Sequence, residues 1–466
     1  MIFDRFLASA EVMQVLDERA YVQAMLDVES ALARAQAAVG AIPAAAGAPI
    51  AAACVAARFD IDALVADGAR AGTLVIPLAK ALAAAVAEVD ADAALYVHWG
   101  ATSQDVLDTA QVLVARRALA LVDRDLGVHV TALLGLAEVH GDAPLLGRTL
   151  LQPAQVISFG FKLAGWTAPL VRAQARLRVA AAAALQLQLG GAVGTRAALG
   201  AHGDAVLAGM AGLLGLRAAP AAWHTQRDEL VGLACVLGLL AGSLGKIAKD
   251  IALMAQGEIG ELAEPSGGGR GGSSAMPHKR NPVASMIALA AAVRAPQRVA
   301  ALLAAMPQEH ERGLGNWQAE LAELQELFAG THGALAALAQ AAQGLAVDAA
   351  RMRRNIDALH GLVFAEALAM RVARVIGKAA AHHWVETLSR QAVAGGQHLR
   401  ELAAAALGAD ARLAAAMSTH ELHALFDADP PARHASALAR PQLAALAAQA
   451  DELRRGAPWR PWLPPN

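Results

Sequence analysis

Between Leu230 and Met254, apolar residues recur three and four positions apart (Leu230, Leu233, Leu237, Leu240, Leu244, Ile247, Ile251, Met254), with Lys246, Lys249 and Asp250 off the stripe. That spacing predicts one long helix over about 229–262 whose heptad-like seam needs other helices to cover it. Few breakers interrupt 106–140 or 153–189, Pro282 and Pro307 bracket a helical run over 283–306, and another runs over 317–344. Ahead of these, 11–39 reads as an amphipathic helix stopped by Gly40 and Pro43. Beyond 350 the pieces are shorter, broken at Gly361, Gly377 and Gly395-Gly396. No segment shows the period-two alternation of a half-buried strand. The expected fold is all-α: an elongated bundle of five long central helices (109–350) flanked by two smaller helical domains (1–108 and 351–466). The proline-rich tail from Pro458 to Pro465 is expected to be an extended strap or a frayed end.

Composition narrows the class. Alanine and leucine dominate, and 39 Lys+Arg against 41 Asp+Glu leave no global field for nucleic acid or an anionic membrane. Any anion site must therefore be a local gathering of cations. The N-terminus carries charges where a secretory signal needs its apolar stretch, and uncharged runs such as 230–245 fall short of the ~20 residues of a spanning helix. Cys54 and Cys235 are far apart, without metal-ligand spacing, and suit a reducing cytoplasm as buried thiols. The expectation is a soluble, cytoplasmic chain with no nucleic-acid or membrane partner.

Polar side chains gather with glycine or proline at the predicted helix ends in three places: His98-Trp-Gly-Ala-Thr-Ser-Gln-Asp105; Gly147-Arg-Thr-Leu-Leu-Gln-Pro153 together with Leu189-Gly-Gly-Ala-Val-Gly-Thr195; and Gly268-Gly-Arg-Gly-Gly-Ser-Ser-Ala-Met-Pro-His-Lys-Arg-Asn-Pro282. In the third, glycines let backbone N–H groups approach an oxyanion, Lys279 and Arg280 bring charge, and Ser273 or Ser274 offers a proton-transfer group. Thr102 and Ser103 precede a helix, where hydroxyls either cap the helix or bind a carboxylate. Arg148 offers a bidentate fork for a carboxylate, with Gln152 near it in sequence; Arg312 offers another fork or is an exposed helix-end charge. His98 is either a ligand contact or a satisfied histidine against Trp99.

The run Gly272-Ser-Ser-Ala-Met-Pro-His-Lys-Arg-Asn-Pro282 resembles the signature loop of the fumarase/aspartase superfamily, whose members make or break a bond β to a carboxylate. The resemblance extends from Asp27-Val-Glu29 through Gly315-Asn-Trp-Gln318 to Met352-Arg-Arg-Asn355. It implies a homotetramer in which the three polar segments come from three subunits and meet in composite sites. It further implies that Ser273, the first of the paired serines, moves the proton α to the substrate carboxylate. Lys279 and Asn281 are then to hold that carboxylate, His98, Thr102, Ser103, Arg148, Gln152, Thr195 and Arg312 to contact substrate, and His278 to be structural.

The amine-releasing branches carry a histidine in the second segment, in a Gly-Arg-Thr-His pattern; this chain has Leu150 there, and Gly72-Thr-Leu-Val-Ile-Pro77 where adenylosuccinate lyases have a second histidine. An expelled amine needs a proton, whereas a carboxylate, with a pKa of about 4, departs unaided. His98 to Asp105, Leu187-Gln-Leu-Gly-Gly191 and Asn316-Trp-Gln-Ala-Glu320 resemble the bacterial branch that closes a carboxylated cis,cis-muconate to its lactone in protocatechuate degradation. That branch typically has Trp in place of Leu150. The resemblance implies a cofactor-free, metal-free cycloisomerase acting on a small polycarboxylate. Rival readings are a fumarate-releasing lyase of a succinyl adduct, such as adenylosuccinate lyase, and a catalytically silent helical scaffold.

Overall fold

The computed structural model describes residues 2–267, 269–414 and 417–455. Gly268, which opens the third polar segment, and the tail from Pro458 lie outside the described residues. Helix α1 (Glu18–Val39) starts at the Asp17 N-cap and ends at Gly40 in the left-handed conformation, so the expected helix over 11–39 is divided by the cap at Asp17. The five long helices are α2 (Ser103–His140), α3 (Phe159–Ala184), α4 (Asp228–Met254), α5 (Val283–Ala305) and α6 (Asn316–Gln343). A last long helix, α7 (Asp429–Arg455), runs back along the bundle and packs on α3.

Two departures from the periodicity matter. Between α2 and α3 the chain makes an antiparallel hairpin, β1 (Pro144–Thr149) with β2 (Gln152–Ser158), so α3 starts six residues later than the helical reading of 153–189. Strand β3 (Leu262–Ala263) pairs with β4 (Ala346–Val347), which ends α4 at Met254 rather than near 262. The two-residue strands β3 and β4 are too short for alternation to reveal them, and β1 and β2 carry apolar residues on both faces.

One hydrophobic core runs from Val12 to Met352 and includes the α4 stripe, whose eight seam residues are all buried. A second core, from Ile356 to Ala432, also takes in Leu146 and Val156 of the hairpin. By length and composition three helices, Ala197–Leu214, Asp228–Met254 and Val283–Ala305, are apolar enough to cross a membrane. The longest of them carries Lys246, Lys249 and Asp250, which is why its uncharged run is shorter than the helix. In the fold, the α4 stripe faces other helices.

A buried ionic network fixes the start of α2. The guanidinium of Arg227 donates to both oxygens of Asp108 at 2.8 and 3.1 Å and pairs with Glu320, all three side chains being at most 1% exposed. Trp317 Nε1 donates to Asp108 Oδ1 at 3.0 Å, and the Trp223 ring lies under the guanidinium. Burial opposes the charge on Arg227, but Asp108 and Glu320 outweigh it and raise its pKa. Arg227→Ala is expected to cost about 3–5 kcal/mol, because it leaves two carboxylates buried without their cation. Chemical denaturation should show that loss, and a midpoint within error of wild type would mean the network contributes nothing.

Candidate active site

The polar segments sit at the two ends of the bundle, the second of them divided between both, and the two ends are one helix apart. Helix α2 has 38 residues, about 57 Å at 1.5 Å per residue, and carries Thr102 just before its start and the hairpin with Arg148 just after its end.

At the Thr102 end, the buried Asp105 carboxylate accepts from Thr102 N at 3.0 Å, from Gly190 N and Gly191 N at 2.8 and 2.9 Å, and contacts His224 Nε2 at 2.8 Å. One acidic side chain in the first turn thus caps α2 and ties it to the loop carrying Thr195. Gly190 has no room for a side chain: a Cβ there would stand 2.6 Å from the His224 ring and 2.9 Å from Gly194 Cα. Arg312 donates to Thr102 Oγ1, bringing the loop before α6 against the same helix start. His98 is part-exposed, with Nδ1 2.6 Å from Oε1 of the buried Glu29.

At the other end, Arg148 donates a bidentate pair to Glu261, which is fully buried, at 2.7 and 3.1 Å, and Asn355 Nδ2 donates to the same carboxylate at 2.9 Å. The fork expected to be open for a substrate carboxylate therefore holds an internal one, leaving Nε–H and the second Nη2 proton of Arg148 for any further acceptor. Gln152 is exposed beside the tip. Leu150 and Leu151 form that tip, 96% and 73% exposed, both with positive φ (51° and 65°). Such a turn favours Asn-Gly, and leucine in the left-handed region costs about 1–2 kcal/mol per residue.

The signature loop is rooted at this same end. Glu264 accepts from Ala284 N, Ser285 N and Ser285 Oγ at 2.9, 2.9 and 2.6 Å, closing the loop by capping α5. Inside it, Asn281 N donates to Gly271 O at 2.9 Å and Asn281 Nδ2 to Gly272 O at 3.3 Å, so the Asn281 amide shapes the loop. Gly271, at φ 67°, would clash through a Cβ 2.7 Å from Asn281 O. Ser273 Oγ accepts from Met276 N at 3.1 Å and Ala275 N at 3.4 Å. Two N–H dipoles aimed at one hydroxyl oxygen favour its alkoxide. Ser274, Lys279 and Arg280 are exposed.

Within one chain the structure thus groups His98, Thr102, Ser103, Thr195 and Arg312 at one end, and Arg148, Gln152, Ser273, Lys279 and Asn281 at the other. The sequence pattern groups Thr195 with Arg148 in one segment. The fold separates them by the 26 residues of α3, because Asp105 draws the Gly190-Gly191 turn to the start of α2. Two clefts of 720 and 800 Å³, beside α2 and between α3, α4 and α5, contain none of these residues. Sequence reasoning passed over Glu261, Glu264, His224 and Arg227. The acidic pair just ahead of a basic loop was the available signal for the first two; nothing local marks the others.

A lyase family model matches residues 5–296, and one for the adenylosuccinate lyase C-terminus matches 361–440. The 3-carboxy-cis,cis-muconate cycloisomerase of Bradyrhizobium diazoefficiens is 51% identical over 90% of this chain and 92% of its own, and that of Pseudomonas aeruginosa 51% over 91% and 92%. The crystal structure of 3-carboxy-cis,cis-muconate lactonizing enzyme from Pseudomonas putida superposes with a TM-score of 0.89 at 43% identity, covering 97% of this chain and 99% of that one. With the signature loop intact and the long-helix bundle shared, the chain belongs to the fumarase/aspartase superfamily, on the branch of the bacterial 3-carboxy-cis,cis-muconate cycloisomerases.

Proposed function

We propose that the protein catalyses the reversible lactonisation of 3-carboxy-cis,cis-muconate to 4-carboxymuconolactone. The observation that carries this is the 51% identity, over nine-tenths of the chain, to relatives of that activity. A substrate carboxylate oxygen bonds to an alkene carbon, and the π electrons move toward the carbon α to the conjugated carboxylate. Ser273 delivers a proton to that carbon. In reverse, Ser273 removes it as an alkoxide stabilised by Ala275 N–H and Met276 N–H. The step is an isomerisation without net redox change, so it calls for no redox cofactor. In the opening direction the leaving group is a carboxylate, which needs no proton; an apolar Leu150 where amine-releasing relatives carry histidine fits that chemistry.

The three substrate carboxylates call for cations from both bundle ends. Arg312 with Thr102, Ser103 and His98 serve from one, and Lys279 with Arg148 and Gln152 from the other. Since those ends lie about 57 Å apart in one chain, each site is composite and the working form is a homotetramer. Its two free thiols, Cys54 and Cys235, suit a reducing cytoplasm.

The test is the loss of diene ultraviolet absorbance when purified protein meets 3-carboxy-cis,cis-muconate, beside a parallel assay with adenylosuccinate. Turnover of the first alone, undiminished after chelation, is expected. Leu150→Trp should retain it, since the tip is exposed and has room for an indole. Cleavage of adenylosuccinate with no change in the muconate would overturn the assignment.

A further inference from the structure

Two energetic costs meet at one contact at the Thr102 end. His98 holds φ at 58°, a left-handed conformation rare for a residue with a side chain, and Glu29 is a carboxylate 1% exposed inside α1. Glu29 Oε1 lies 2.6 Å from His98 Nδ1, while its Oε2 is buried with no hydrogen-bond partner. An ionised carboxylate with an empty lone pair in a core is expensive unless a cation neutralises it. The imidazole is the group that reaches it. The turn is held in place from behind, Gln36 Nε2 donating to Trp99 O at 2.6 Å.

We propose that Glu29 is a positioning residue for His98: by engaging Nδ1 it fixes the ring so that Nε2–H faces outward as a donor to a substrate carboxylate, alongside Thr102 and Arg312. The proposal deepens the reading of the site given above and rests on it for the identity of the ligand. His98 Nε2 has no partner among the described residues, and the ring is 22% exposed, so one nitrogen is anchored and the other is open. The charged groups facing the ring are Glu29 from α1 and Asp105 from the start of α2, both acidic. Burial disfavours the imidazolium, but the hydrogen bond and charge of Glu29, with Asp105 behind, outweigh it and hold the His98 pKa above its ordinary value. Below that raised pKa the ring is cationic and Nε2 donates; as pH rises through it, the donor is lost.

The experiment titrates His98 by ¹⁵N NMR in the full-length protein and in Glu29→Gln and Glu29→Asp. It also measures the affinity of each for propane-1,2,3-tricarboxylate and the pH profile of kcat/KM. Glu29→Gln should lower the imidazole pKa, shift the alkaline limb of kcat/KM to lower pH, and weaken tricarboxylate binding by roughly ten- to a hundredfold, as for loss of a charge-assisted hydrogen bond. The effect should fall on KM more than on kcat, and Glu29→Asp should restore part of it. A pH limb and tricarboxylate affinity unchanged in Glu29→Gln, with only a lower melting temperature, would overturn the proposal and leave the contact a structural clamp. If Glu29→Gln does not fold, the wild-type titration decides: a His98 pKa at or below the ordinary value overturns it. NMR and tricarboxylate binding need no turnover, so failure of the wild type to convert carboxymuconate would sink the functional reading separately.

Discussion

Ser273→Ala is expected to lower turnover by about 10²–10⁴-fold or more, the contribution typical of a general acid–base group, with the fold intact. Serine is a very weak base, and what makes Ser273 suitable is its surroundings. Its hydroxyl oxygen receives Met276 N–H and Ala275 N–H, and Lys279 stands in the same loop. Ser274 is exposed and, among the described residues, has no comparable donors. Ser274→Ala should therefore lose much less. Ser273→Ala removes the two N–H contacts within the loop, but the loop stays anchored by Glu264 and by the main-chain bond from Asn281 N to Gly271 O, so the fold should survive both substitutions. Circular dichroism should be unchanged in both, and kcat ranks them. A Ser274→Ala variant more impaired than Ser273→Ala would show that the wrong serine was assigned.

The second large effect is restoration of activity by mixing two dead proteins. A Thr102→Ala/Ser103→Ala parent lacks the hydroxyls of one bundle end and a Ser273→Ala parent lacks the proton carrier of the other, so both should be nearly inactive. Unfolded together in equal amounts and refolded, the chains should form tetramers in which about a quarter of the sites draw both intact ends from different subunits. Activity should return to roughly that fraction of wild type. The reasoning is geometric: no bend in α2 brings residues one 38-residue helix apart into contact with one small substrate. Absence of recovery in tetramers verified by mass to contain both chains, or an active monomer in sedimentation, would refute shared sites.

Much of the fold was legible because long helices write their packing into the sequence. The α4 stripe, the Gly40 stop, the start of α5 after Pro282 and the end of α6 at Gly344 stand where periodicity and cap residues put them. The β1–β2 hairpin was not legible: its tip is Leu150-Leu151, where turn chemistry calls for Asn-Gly, and its two faces pack on different cores, Leu145 and Ile157 on one and Leu146 and Val156 on the other, so apolar residues do not alternate with polar ones. The return of α7 to the bundle was equally hidden, since nothing local distinguishes a helix that packs on its neighbours from one that crosses back to α3.

The sequence by itself determined the class of chemistry, because the run from Gly272 to Pro282 matches the superfamily's signature loop, and Leu150 argued against the amine-releasing branches. It also named candidate residues for the site. Only the tertiary structure decided which of them share an end of the bundle, moving Thr195 to the Thr102 end and engaging Arg148 with Glu261. The physical reason lies in the range of the forces. Helix periodicity and capping act over a few residues and can be read along the chain. The Asp105, Glu29 and Glu261 contacts join groups 69 to 119 positions apart, and the burial that makes them strong exists only once the bundle has formed.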